Sequence, residues 1–130
     1  MKLPKTSFFA IVALAFVGTL YAQQGHTIPK EFHGTWTWNK NGIHPENSEM
    51  PVKISAKEIS GHESSGQVTR VARSGTDEQA CVVNIDAACE GMEGKETLTL
   101  ILSTDGRRLR IEQENPTTCA FGPSVLYRVR

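Results

Sequence analysis

From residue 32 onward the chain alternates apolar and polar positions with a period of two, the pattern of half-buried strands. In 32–38 the residues Phe32, Gly34, Trp36 and Trp38 share one face. Val52-Lys53-Ile54-Ser55-Ala56 alternates, and Glu58-Ile59-Ser60-Gly61-His62 resumes after a tight connection. Gln67 to Val71 is strand-like, but its apolar positions change face, which predicts a bulge. Cys81 to Ile85 is apolar and β-branched, and Val125 to Val129 forms the last strand. No twelve-residue stretch has a helical period, and Gly, Pro, Ser and Asn punctuate the gaps.

One hairpin can be set in register. Asp105-Gly106 is a two-residue turn signal of the type I′ kind. Thr104 then faces Arg107, Leu102 faces Leu109 and Leu100 faces Ile111, while Thr99 meets Glu112 and Ile101 meets Arg110 on the other face. A slip of one residue would scatter these apolar residues over both faces.

Roughly eight short strands joined by short turns predict an all-β fold, a small antiparallel meander. Open edges favour closure into a barrel, with a two-sheet sandwich as the competitor. The expected core is Trp36, Trp38, Val52, Ile54, Ile59, Cys81, Val83, Leu98, Leu100, Leu102, Leu109, Ile111 and Tyr127.

The N-terminus changes the picture. Lys2 and Lys5 precede an apolar run from Phe8 to Leu20, and Ala22 is a small residue suited to cleavage. Residues 1–22 are therefore expected to be a signal peptide, too short in its apolar part for a membrane span. Residues 23–130 form the single domain, placed in the periplasm or secreted. Cleavage removes two of the fourteen cations and none of the fourteen acids, leaving a net charge of −2. With no concentrated basic face, a nucleic-acid or membrane-surface role is disfavoured.

Cys81, Cys89 and Cys119 allow one bridge and one free thiol. Strands near 79–85, 95–102 and 107–112 run alternately up and down, so segments 86–94 and 113–124 emerge at one end. That favours Cys89–Cys119; Cys81–Cys119 and Cys81–Cys89 stay open. Cys81 then becomes a buried thiol.

Ile28-Pro29-Lys30-Glu31-Phe32-His33-Gly34-Thr35-Trp36 resembles the opening of lipocalin-like barrels, where Gly-x-Trp follows a short turn onto the first strand. The resemblance implies an eight-stranded lipocalin-like barrel with Trp36 plugging one end. It also implies that an Arg of the last strand, Arg128 or Arg130, packs over the ring, a cation–π contact of order 1 kcal/mol. The chain is shorter than a typical lipocalin and has no obvious C-terminal helix. More loosely, it resembles the many small exported bacterial barrels that have no assigned role, and barrels of this kind include lysozyme inhibitors. The inhibitors carry a Ser-Gly-x-x-Tyr motif; here Ser65-Gly66-Gln67-Val68-Thr69 departs from it, with Thr in place of Tyr, which counts against that specific assignment.

No coherent catalytic or metal constellation is visible. His26, His33, His44 and His62 are scattered, and His33 reads as a solvated strand residue. His62-Glu63-Ser64-Ser65 places neighbours on opposite faces. Asp86, Glu90, Glu93 and Glu96 lack calcium-loop spacing and read as a solvated acidic loop. Arg107, Arg108 and Arg110 read as a hairpin exterior. The expectation is a monomeric, non-enzymatic module without cofactor or metal, binding a protein or other macromolecule as an inhibitor does. A protruding loop, 41–50 or 113–124, would carry that binding. A carrier of a small apolar ligand is the alternative, and an enzyme is the least supported class.

Overall fold

The alternation in residues 80–102 becomes two long paired strands, and the rest of the chain is arranged around them. A computed structural model describes residues 24–73 and 79–130; the expected signal segment 1–22 lies outside the described residues. The strands are β1 (Gln24–Gly25), β2 (Gly34–Thr37), β3 (Val52–Ile54), β4 (Glu58–Gly61), β5 (Ser64–Arg73), β6 (Ala80–Cys89), β7 (Met92–Leu102), β8 (Arg108–Glu114) and β9 (Ser124–Arg128). From β2 to β9 each strand pairs antiparallel with the next, and β9 returns to pair with β2. The result is a closed, eight-stranded up-and-down barrel. The two residues of β1 add to β5 opposite Val71 and Ala72.

Local chemistry sets the connections. Cys89 pairs Met92 across Glu90 and Gly91, both at positive φ (49° and 84°), the two-residue turn that matches strand twist. The segment read as a loop at 86–94 is therefore a continuous hairpin. In the β7–β8 hairpin, Leu100 pairs Ile111 and Leu102 pairs Leu109, in the expected register. Its turn differs from the type I′ expectation: only Gly106 has positive φ (73°), and its N–H donates to Ser103 O at 2.9 Å. Asp105 Oδ1 instead accepts from Ser103 Oγ (2.6 Å) and Arg107 N (3.0 Å), a side chain capping its own turn. The expected bulge in β5 falls between Val68 and Arg70.

The barrel interior is filled by side chains from every wall. Trp36, Ile59, Val83, Leu98, Leu100 and Leu109 are fully buried, with Ile54, Ile85, Ala87, Ile111 and Leu126 beside them. Three expected core residues stand outside the core or at its edge. Trp38 is 44% exposed, because β2 ends at Thr37 and the chain leaves the wall there. In β9 the inward residue is Leu126, opposite Leu109, so Tyr127 takes the outer phase and is only half-buried. Val52 is half-buried rather than central. Ile28, Phe32 and Phe121, absent from the expected list, complete the core.

Candidate functional site

One barrel end is closed by the segment entering β2. A 3-10 turn at Lys30–Phe32 drives Phe32 into the core, and Trp36 Nε1 donates to Phe32 O at 3.1 Å. Arg128 shares the inward phase of Leu126, and its guanidinium lies 4.3 Å from the Trp36 ring centroid. Of the two arginines considered for this place, Arg128 takes it. Its Nε donates to Gly106 O (3.0 Å), Nη1 to His33 O (2.6 Å) and Nη2 to Glu31 O (2.8 Å). Gly34 is required here: its φ is +139°, and a Cβ would stand 2.7 Å from Arg128 Nη1.

The opposite end is closed by residues 115–123. Cys119 is bonded to Cys89, at the last position of β6. Phe121 is buried against Gly66 and Gly61, where a Cβ would come within 3.3 and 3.7 Å of its ring. The anchor is Glu96, only 3% exposed. It accepts from Thr118 N (2.7 Å), Thr118 Oγ1 (2.8 Å), Gln113 Nε2 (2.8 Å) and Thr117 N (3.1 Å). Burial alone would raise the Glu96 pKa, but these hydrogen bonds outweigh it and hold the carboxyl below its usual range. The expected solvated acidic loop is thus corrected at Glu96. Residues 113–124 likewise do not protrude as a whole; they plug the barrel.

Among the described residues, the 38–51 connection lies outside the barrel wall. It displays Trp38, Ile43 (61% exposed) and Met50 (52% exposed). Hydrogen bonds hold its shape: Asn41 Oδ1 accepts from Ile43 N (2.9 Å), and Ser48 Oγ donates to Pro45 O (2.6 Å). His44 stands edge-on to Trp38 with centroids 5.1 Å apart, and its Nδ1 lies 3.2 Å from the buried Thr37 Oγ1. Arg130 N donates to Gly42 O at 3.0 Å, which fastens the loop to the chain beyond β9.

Other sequence candidates are dispersed. His33 is half-buried and donates from Nε2 to Ile28 O (2.7 Å), so it braces the 3-10 turn rather than facing solvent. His62 and Glu63 form the turn between β4 and β5, with Glu63 at φ 52°. Cys81 is a free, buried thiol whose pKa is pushed up to about 12, first by burial. Ser65 and Gly66 sit on β5 beside the Phe121 plug, and Thr69 Oγ1 donates to Asn84 O (3.1 Å). Among the described residues, no three of His, Cys, Asp and Glu are grouped to hold a metal ion. Nor is any helix there long and apolar enough to cross a membrane.

Hollows of about 280, 290 and 520 Å³ lie on the outer wall, lined in part by Arg110 and Val125, by Thr69 and Asn84, and by Ser65 and Gln67. A smaller one, about 60 Å³, is lined by Lys40, Asn41, Gly42, Arg107, Tyr127, Arg128 and Arg130. No protein-family model, curated protein or solved structure matches the chain, so any functional reading rests on this geometry.

Proposed function

We propose that the protein is an exported, monomeric, non-enzymatic barrel that binds a protein or other macromolecular partner through its 38–51 loop, in the manner of an inhibitor. The observation that carries this reading is the exposure of Trp38, Ile43 and Met50 on a loop braced by its own hydrogen bonds. Exposed aromatic and apolar anchors on a rigid frame are what macromolecular recognition uses. The filled interior, plugged by Trp36 and Phe121 at its two ends, supports surface binding over carriage of an apolar ligand inside the barrel. The disulfide and the lysine-led apolar run at the N-terminus support a periplasmic or secreted location.

The test compares the mature protein with a Trp38→Ser/Ile43→Ser/Met50→Ser variant. These side chains are outside the core, so the variant should melt as the parent does. The parent should retain a partner from an extract of its compartment, and the variant should lose it. Equal retention, or none by the parent, counts against the proposal. Lysozyme is the first purified partner to try, given the Ser65-Gly66 resemblance.

A further inference from the structure

We propose that the hollow between Lys40, Arg107 and Arg130 is an oxyanion site, taking one phosphate or carboxylate group. Its cations come from three segments: the 38–51 loop, the β7–β8 turn and the chain beyond β9. Backbone contacts bring these together. Arg128 N donates to Arg107 O at 2.9 Å, Arg130 N donates to Gly42 O at 3.0 Å, and Gly42 N donates to Asn39 O at 3.0 Å. At Gly42 the backbone has φ +74°, and a Cβ would stand 2.6 Å from Arg128 O, so this approach needs glycine.

Charge favours an anion. Among the described residues, no Asp or Glu lines the hollow. Arg128 adds a further positive charge at this end, and its three hydrogen bonds all go to neutral carbonyls. Glu31 directs its carboxylate to Arg73 instead. Asp105 partly offsets Arg107 and Arg108 from outside the hollow, with its Oδ1 turned to Ser103 Oγ and Arg107 N. Cationic side chains lining a concavity raise local anion concentration, and guanidinium groups match oxyanion geometry. A volume of about 60 Å³ is several times the roughly 10–15 Å³ that one water needs, and suits one small oxyanion. The site stands whether or not the loop captures a protein.

Titration of the ¹⁵N-labelled protein with inorganic phosphate, then separately with acetate, tests it, with ionic strength held constant by sodium chloride. The amides of Gly42 and Tyr127 should shift saturably with at least one anion, and the stronger of the two identifies the group. Arg107→Ser and Arg130→Ser should each weaken binding by about tenfold. Lys95→Ser, on β7, should leave it unchanged. Lys40→Ser gives a second, independent loss, with amides elsewhere confirming the fold. Non-saturating shifts with both anions, or equal behaviour of Arg130→Ser and Lys95→Ser, would overturn the proposal.

Discussion

The guanidinium of Arg128 stacks on Trp36 and, with the same group, ties three backbone carbonyls from two segments almost a hundred residues away in sequence or at the β7–β8 turn. Replacing Arg128 by Ala strands those carbonyls and uncovers the indole. The expected loss is about 2–4 kcal/mol, read from urea unfolding. Arg128→Lys should recover only part, since an ammonium cannot reproduce the planar fork. Full recovery by Lys would show that charge alone matters.

Gly34 faces the same guanidinium. Gly34→Ala adds a methyl 2.7 Å from Arg128 Nη1 at a φ of +139°. Strain and displacement together should cost about 1–3 kcal/mol, and the double variant with Arg128→Ala should cost less than the sum of the two. Simple additivity in that cycle would mean that the two residues do not act on each other.

Glu96 makes stability depend on acid. Its folded pKa is lowered, so its contribution is complete above the ordinary carboxylate value of about 4.3 and is lost as pH falls through the lower folded value. Glu96→Gln keeps one accepting oxygen but sets an amide nitrogen against Gln113 Nε2 and removes the charge, and should destabilise by about 1–3 kcal/mol at neutral pH. Unfolding curves from pH 7 to pH 3 should show the gap to the parent narrowing below about pH 4.3. A gap constant across that range would contradict the ionised anchor.

The three cysteines should separate by chemistry. Cys81 should resist alkylation at pH 8 in the folded protein and react once denatured, because burial keeps its thiol protonated and inaccessible. Cys89→Ser with Cys119→Ser should cost about 3–4 kcal/mol by the chain-entropy model for a separation of 30 residues. Labelling of Cys81 in the native state as fast as in denaturant would refute its burial.

The β7–β8 register was legible because Leu98, Leu100, Leu102, Leu109 and Ile111 agree on one face in one alignment only. The bridge was legible in part: strand direction favours Cys89–Cys119 by putting both at one end, but leaves the pairings through Cys81 open. Val125 to Val129 misled at Tyr127 because apolar residues occupy both phases, and only pairing with Leu109 selects Leu126. Trp38 continues the alternation on paper, yet β2 has already ended. Glu96 carries no local sign of burial; its partners Thr117 and Thr118 lie more than twenty residues away. Phe121, a lone aromatic among loop residues, gave no period to read. The exposed trio Trp38, Ile43 and Met50 is visible only once the barrel shows what it excludes.

The closing pair β2–β9 is joined at only two register positions, Trp36 with Arg128 and Thr37 with Tyr127. The β5–β6–β7 strands, by contrast, are ten, ten and eleven residues long and neighbours in the chain. Contacts between neighbouring segments cost little chain entropy to form, whereas the β2–β9 seam must wait until both ends of the chain meet. The Trp36–Arg128 stack is therefore expected to form late in folding. Its loss should leave the refolding rate nearly untouched and quicken unfolding, which makes it a determinant of how long the native state lasts.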